Sequence, residues 1–246
     1  MQIPGSPSLA FLLYLFLFLP WMAYKSRRKI RLRQNAAQET TFSDTDLEKI
    51  WYGTILQLAI LFILAWQVAA GFHYSIAVLP SAGFSTIAET LSALAVCLLI
   101  RALVRRTTTE TERRSMVVFA LAPRSRRQWL LKAIVVLCAS VAEEAAYRGV
   151  CWQILSYSTG HYQFAALLSS VAFALAHWIQ GWKSMFFIFI FAIIMHTLVW
   201  YTQSLITAML VHAAYDCIAI TLIAIEAARF RKSSREGDPG KSQCPG

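Results

Sequence analysis

Charged residues are scarce in this sequence of 246 residues. Asp, Glu, Lys and Arg together make up 15% of the chain, and apolar residues make up 57%. A soluble domain contains about 25% charged residues. The scarcity of charge therefore excludes an ordinary soluble domain. It also excludes a disordered chain, which requires low hydrophobicity. We expect an integral membrane protein.

The chain also lacks paired cysteines, and it lacks proline over a long stretch of its second half. The five cysteines contain no CxxC pair, which excludes a zinc ribbon and a dithiol redox motif. We expect these cysteines to be free thiols in apolar surroundings. Proline is absent from residues 124–238. The helices of that region therefore carry no obvious break signal, unlike the binding-site helices of many secondary transporters.

Long apolar runs are what the chain does contain. Most are close to the length of about 20 residues that a membrane-spanning helix needs, and the run at residues 129–157 is long for one span. The sequence therefore predicts an all-α, polytopic bundle of about seven transmembrane helices, at residues 9–24, 50–71, 86–104, 129–157, 162–180, 185–202 and 205–228. The apolar stretch at residues 115–122 is too short to span, so we expect it to lie along the interface or to fold back.

Lys and Arg are distributed unevenly between the connections of this bundle. Of the 23 basic residues, 22 fall in residues 25–49, 101–132, 179–184 and 229–246, which are alternate connections. The positive-inside rule then places the N-terminus outside and the C-terminus in the cytoplasm. The same rule explains the net charge of +10 without nucleic-acid binding. We expect a multi-pass protein of a prokaryotic inner membrane, with the bilayer as one partner.

The chain divides into three predicted regions. Residues 1–114 form an N-terminal membrane region with three spans and basic cytoplasmic loops. Residues 115–228 hold the last four spans, and residues 229–246 form a polar cytoplasmic tail that we expect to be disordered.

Ionisable residues inside the last four spans are costly, at about 2.5–3.5 kcal/mol each on insertion scales, and point to function. Glu144 and Arg148 are four residues apart, so a helix places them as a neutralising ion pair. Glu143 lies about 100° around the same helix, on the face that carries Tyr147. Because it has no cation in register, we interpret Glu143 as a general base.

Three histidines lie in the spans that follow. His177 shares a helical face with Phe173, a pattern that alone is more typical of a core residue. His212 precedes Asp216 by four residues, so this carboxylate can fix the imidazole tautomer or stabilise its charged form. His196 has no polar companion on its helix, and we expect packing or a local hydrogen bond there. Counting residues from the predicted outer ends puts Glu143, His177 and His212 near the middle of the membrane.

Three motifs occur in order on consecutive apolar helices: EEAAYR fits EExxxR, FALAH fits FxxxH, and HAAYD fits HxxxN/D. Together they resemble the CPBP (Abi) family, which includes the type II CAAX prenyl proteases. The resemblance covers about residues 125–225. It implies an intramembrane endopeptidase with a water-filled cavity among these helices, acting on a membrane-associated protein or peptide.

The resemblance also implies roles for individual residues. Glu143 and His177 would activate the hydrolytic water, and His212 with the residue at 216 would stabilise the oxyanion. Glu144 and Arg148, with Tyr147 and Phe173, would support the site. Many family members carry Asn where this chain carries Asp216, and an ionised Asp cannot donate to an oxyanion. Asp216 could instead hold His212 as a charged donor, or be protonated itself.

Several alternatives remain open at this point. Glu143, His177 and His212 could form a zinc triad, although the chain lacks HExxH, and we favour a metal-free glutamate mechanism. A non-catalytic immunity or partner-binding protein on the same scaffold is one alternative function. A proton-coupled transporter with a relay of Glu143, His177 and Asp216 is another. The substrate could be a prenylated CaaX protein, a pheromone precursor or a sorting signal.

Overall fold

A computed structural model describes residues 5–36, 42–72 and 83–236. These residues form helices and no strand, which confirms the predicted helical membrane bundle. Five of the helical stretches are long and apolar enough to cross a bilayer, at Ser6–Ile30, Asp44–Phe72, Phe84–Arg106, Trp182–Thr202 and Leu205–Lys232. They correspond to the predicted first, second, third, sixth and seventh spans. The total of seven spans and the orientation stay predictions.

The N-terminal part of the bundle contains four helices. Helices α1 (Ser6–Leu13) and α2 (Leu19–Ala36) are joined without a break by one π-helical turn at Tyr14–Phe18. Helices α3 (Asp44–Phe72) and α4 (Phe84–Arg106) follow. The polar second half of α2 continues beyond the apolar run, so one helix carries both a span and part of the first basic block.

Two short helices connect α4 to the second half of the chain. Helix α5 (Glu110–Ser115) begins at a capping box, in which Thr109 and Glu112 satisfy each other's backbone N–H groups. Helix α6 (Val117–Ala120) contributes Phe119 to a small apolar cluster with Ala224 and Ala227. The stretch predicted to be too short to span therefore folds back onto the last helix of the bundle.

The predicted fourth span is one long, irregular helical run. Helix α7 (Arg126–Glu143) begins at Ser125, whose hydroxyl accepts a hydrogen bond from the Gln128 N–H at 3.3 Å. It leads directly into a π-helical stretch, Glu144–Cys151, which we call the π segment, and then into α8 (Trp152–Thr159). The sequence carries no proline in this run and gave no obvious signal for the π-helical stretch. Gly160 ends the run with a φ of +74°.

The last three helices complete the bundle. Helix α9 (Tyr162–Ala176) has 15 residues and is followed by a single 3₁₀ turn at Trp178–Gln180, so the predicted fifth span is shorter than expected. Helix α10 (Trp182–Thr202) starts after Gly181, and α11 (Leu205–Glu236) ends the described chain. Helix α11 continues past the predicted boundary at residue 228 into the predicted tail. Residues 237–246 lie outside the described residues.

Packing brings the second half of the chain together around α7 and the π segment. Helix α3 lies along both of them, α11 packs against α7, and α9 packs between α8 and α10. Helix α4 covers α10 and α11 from the other side. Their inward residues form one continuous apolar core. The cysteines within the described ranges are free, as predicted. This packing places the π segment, the end of α9 and the middle of α11 next to one another.

Candidate active site

Two adjacent glutamates begin the site, and the fold separates their environments. Glu143 is the last residue of α7, and Glu144 is the first residue of the π segment. The Glu144 side chain is completely buried, whereas that of Glu143 is 15% exposed and lines an internal cavity. The Tyr147 carbonyl accepts the backbone N–H of Trp152 and also the Ser169 hydroxyl of α9, which donates to it at 3.0 Å. π segments of this kind occur frequently at functional sites.

The buried side of the π segment holds the ion pair predicted from sequence. Arg148 Nη1 donates to Glu144 Oε1 at 3.2 Å, and both side chains are fully buried. The guanidinium carbon of Arg148 lies 4.5 Å from the centre of the Phe173 ring, within cation–π range. This confirms the predicted pair and shows that Phe173 packs against it as well.

His212 on α11 completes this buried group. Its Nδ1 lies 2.8 Å from Glu144 Oε1, a hydrogen-bonding distance. Its Nε2 lies 3.8 Å from Asp216 Oδ2, which is too long for a direct hydrogen bond. The sequence spacing allowed Asp216 either to fix the His212 tautomer or to stabilise its charged form. The carboxylate within hydrogen-bonding distance of Nδ1 belongs instead to Glu144, on another helix, and the second role of Asp216 stays a prediction.

Glu143 lies between the two histidines on the cavity side. Its Oε2 is 4.0 Å from His177 Nε2 and 3.9 Å from His212 Nε2. Both distances exceed the usual 2.7–3.2 Å of a direct hydrogen bond. His177 is the residue at which α9 ends, and its Nδ1 lies 2.8 Å from the Phe173 carbonyl. The three residues therefore meet at one depth, as the residue counts predicted.

Aromatic rings hold the imidazoles in place. The Phe173 ring centre lies 4.6 Å from that of His177 and 5.0 Å from that of Tyr147. Phe191 of α10 packs edge-on against His212, with centres 5.3 Å apart. The sequence did not single out Phe191 or Ser169. Their only signal is that both lie in apolar helices beside the motifs, which many core residues share.

A cavity of about 390 Å³ lies in front of Glu143. His177, His212 and Asp216 also contribute to its wall, while most of its remaining lining is aliphatic or aromatic. The cavity extends from these residues to the short helices α5 and α6, at the end of the bundle predicted to be cytoplasmic. Its size is within the range of small-molecule sites. The arrangement can bring an extended apolar chain to the carboxylate.

A zinc ion bound by Glu143, His177 and His212 was the alternative to the metal-free mechanism. Zinc ligands lie about 2.0–2.2 Å from the metal, so ligand atoms of one ion are roughly 3.3 Å apart. The separations of 3.9 and 4.0 Å between Glu143 and the two Nε2 atoms are longer. Within the described ranges, no group of three His, Cys, Asp or Glu side chains is arranged to hold a metal ion. The donor set as placed does not fit zinc.

His196 lies outside this group. It is 3% exposed, and its ring centre lies 5.7 Å from that of Trp152 in an edge-on contact. Among the described residues neither ring nitrogen has a hydrogen-bond partner. Of the two roles expected for His196, packing therefore holds and the local hydrogen bond does not.

Comparison with known proteins covers this same part of the chain. Residues 125–218 match the family model described as type II CAAX prenyl endopeptidase, Rce1-like. The resemblance to the CPBP family is confirmed. The matched segment contains Glu143, His177, His212 and Asp216, and the match supports a peptidase in the membrane. No curated protein and no solved structure matches the chain.

Proposed function

We propose that this protein is an intramembrane endopeptidase that hydrolyses a peptide bond of a membrane-associated protein or peptide. One observation carries the proposal: Glu143 Oε2 lies about 4 Å from the Nε2 atoms of both His177 and His212 at the wall of a largely apolar cavity. A separation of 4 Å accommodates one water that is hydrogen-bonded to the carboxylate and to an imidazole at once. The match to Rce1-like endopeptidases supports the same reaction class.

In this mechanism Glu143 is the general base and His177 orients the water. The Phe173 carbonyl can only accept a hydrogen bond, so the proton of a neutral His177 resides on Nδ1. Its Nε2 is then an acceptor that faces Glu143. A water between them donates one O–H to Glu143 and the other to His177, which leaves an oxygen lone pair for the attack.

His212 supplies the positive charge. Its Nδ1 is held by the carboxylate of Glu144, and its Nε2 lies within 4 Å of Glu143 and Asp216. Carboxylates on both sides of the ring favour the imidazolium, in which both nitrogens carry protons. Nε2–H can then donate to the developing oxyanion. On this proposal Asp216 keeps His212 charged and does not itself contact the oxyanion.

The chemical steps balance within these groups. The water oxygen bonds to the carbonyl carbon while Glu143 takes one water proton. His212 stabilises the negative oxygen of the tetrahedral intermediate. When the C–N bond breaks, the protonated Glu143 gives its proton to the leaving amine. One peptide bond and one water become a carboxylic acid and an amine.

The test is an unbiased search for cleavage products. Purified protein in lipid nanodiscs is incubated with detergent-extracted membrane proteins and peptides, and new chain termini are identified by mass spectrometry. We expect termini that form with the wild type and disappear with Glu143→Gln. The matched control Glu89→Gln makes the same change on α4, outside the lining of the cavity, and should leave them unchanged. The absence of new termini with the wild type would favour a partner-binding or transport protein.

A chelator distinguishes the two peptidase mechanisms. We expect cleavage to continue in excess EDTA or phenanthroline, because the proposed water activation needs only Glu143 and the histidines. Loss of cleavage that zinc restores would show that a metal ion is required.

A further inference from the structure

One arginine of the first basic block faces the interior of the bundle. Arg27 lies on one stripe of α2 with Leu19, Ala23 and Ile30, at spacings of three or four residues. Leu19 and Ala23 are buried, and Ile30 packs against the apolar core. Arg27 is half-buried, whereas its neighbour Arg28 is exposed. Orientation in the membrane calls for positive charge at this end of the span but not on this face, so the inward position of Arg27 has another cause.

Arg27 contacts the turn that joins α9 to α10. Its Nη1 donates to the Trp178 carbonyl at 3.3 Å, and its Nη2 lies 3.6 Å from the place that a Cβ on Gly181 would take. The Trp178 carbonyl also accepts the Gly181 N–H at 3.1 Å, and Gly181 has a φ of +96°, which favours glycine. A guanidinium from another helix therefore holds both ends of this turn.

The way in which α9 ends decides what the His177 imidazole contacts. In a continuing α-helix the His177 N–H would bond to the Phe173 carbonyl, four residues earlier. It bonds instead to the Ala174 carbonyl, three residues earlier, at 3.1 Å. The Phe173 carbonyl is thus left for His177 Nδ1, which lies 2.8 Å away. Because a carbonyl can only accept, Nδ1 carries the proton and Nε2 faces Glu143 as an acceptor.

We propose that Arg27 is a positioning residue for His177. By holding the Trp178 carbonyl, Arg27 keeps α9 from continuing past His177 and so maintains the imidazole with its acceptor nitrogen toward Glu143. The consequence for catalysis rests on the proposed peptidase function, in which that nitrogen orients the hydrolytic water. Arg27 lies outside residues 125–218, the segment that matches the endopeptidase family. The N-terminal region would then contribute a residue that this segment does not contain.

The sequence of the turn does not by itself stop α9 at this point. Residues 177–180 read His-Trp-Ile-Gln, with neither proline nor glycine, and all four are tolerated within helices. Without the guanidinium, α9 can continue, and the His177 N–H then competes with the imidazole for the Phe173 carbonyl. The imidazole proton can move to Nε2 once Nδ1 loses its acceptor. An Nε2 that carries the proton no longer accepts a hydrogen bond from water.

Solid-state NMR of the imidazole tests this positioning without any need for hydrolysis. The five histidines are labelled with ¹³C and ¹⁵N in protein held in lipid bilayers, and His177→Gln identifies the resonances of His177. The ¹⁵N shifts distinguish the Nδ1–H from the Nε2–H tautomer at about pH 8, where ordinary imidazoles are neutral. We expect the Nδ1–H tautomer to predominate in the wild type. In Arg27→Gln its ratio to the Nε2–H tautomer should fall about tenfold, as loss of one hydrogen bond predicts.

Variants at two adjacent positions supply the controls. Arg28→Gln makes the same change on the exposed face of α2 and should leave the tautomer unchanged, and Arg27→Lys keeps a cationic donor and should retain the Nδ1–H form. Melting temperatures show whether each variant is folded, and Arg27→Leu, which suits a membrane helix, replaces Arg27→Gln if that variant unfolds. An unchanged tautomer in the folded Arg27 variant, or an equal shift in Arg28→Gln, would overturn the proposal.

Cleavage by the same variants separates this proposal from the proposed function. We expect the formation of new termini to slow about tenfold in Arg27→Gln and to stay unchanged in Arg28→Gln. A shifted tautomer with unchanged cleavage would confirm the positioning and contradict the role of His177 in water activation. Because NMR reports the tautomer directly, the positioning can fail or hold whether or not the wild type cleaves peptides.

Discussion

The π segment separates two regions of opposite character. On its sealed side, Glu144 and Arg148 have fully buried side chains, and their nearest charged neighbour is His212. On its open side, Glu143 is 15% exposed and Asp216 is 32% exposed, and both line the cavity. Two carboxylates that are adjacent in sequence therefore have different partners and different access to a substrate.

This difference shows how one helix can combine support with chemistry. A buried carboxylate that is paired with a guanidinium is fixed in charge and position, which suits it to hold another residue. A carboxylate at the edge of a cavity can meet water and exchange a proton with it. His212 lies at the boundary, with one nitrogen toward each side. Glu144 on the sealed side thus positions His212, whose other nitrogen faces Glu143 on the open side.

The largest expected effect is on the open side. Glu143→Gln keeps the size of the side chain but removes the base, so we expect activity to fall by about 10²-fold or more. The melting temperature should change little, because Glu143 is not part of the buried ion pair. The measurement is specific activity per folded molecule.

Glu144→Gln should show the opposite pattern. It leaves Arg148 buried without its counter-charge, which costs about 3–5 kcal/mol of folding free energy. We expect a lower yield and a lower melting temperature, with activity reduced in proportion to the loss of folded protein. A folded but inactive Glu144→Gln together with an active Glu143→Gln would show that the base has been assigned to the wrong glutamate.

Asp216→Asn tests whether the second carboxylate of the open side contributes to activity. Asparagine keeps the shape and removes one of the charges that favour the His212 imidazolium. We expect activity at neutral pH to fall about tenfold, which corresponds to about 1.4 kcal/mol in the barrier, with no loss of folded protein. Activity equal to that of the wild type would mean that Glu143 and Glu144 are sufficient to keep His212 charged.

Tyr147→Phe should have the smallest effect. Tyr147 is 1% exposed, and over the described residues its hydroxyl has no hydrogen-bond partner. We expect a change within about 0.5 kcal/mol in stability, whereas Tyr147→Ala should cost about 3–5 kcal/mol through lost packing. Thermal unfolding of the two variants makes the comparison. A large loss of activity in a stable Tyr147→Phe variant would show that the Tyr147 hydroxyl takes part in the reaction.

Much of the architecture follows from the sequence because apolar runs and spacing carry it. The runs predicted five of the long spans, and the four-residue spacing predicted the pair of Glu144 with Arg148. The motifs also predicted that Glu143, His177 and His212 meet, which the packing of three helices confirms.

What the sequence did not provide depends on contacts between helices. The hydrogen bond of His212 with Glu144 joins residues 68 positions apart, and no local pattern indicates it. The π segment has no proline or glycine at its start, so its wider turn has no simple signature in the sequence. Lys132 was counted in the basic connection at residues 101–132, although it also lies within the predicted span at residues 129–157. Its place in both ranges was the one sequence feature that could have indicated its position in the cavity wall.

The short length of α9 bears on the lipid around the protein. At 15 residues it is about 22 Å long, whereas a typical hydrocarbon core is about 30 Å thick. A helix that falls short favours local thinning of the bilayer, at a cost of fractions of a kcal/mol per ångström of mismatch. Arg27 of α2 donates to the Trp178 carbonyl at 3.3 Å and so covers the turn where α9 has ended. We expect lipids with shorter acyl chains to suit this bundle better. Acyl-chain length would then influence how readily water reaches His177.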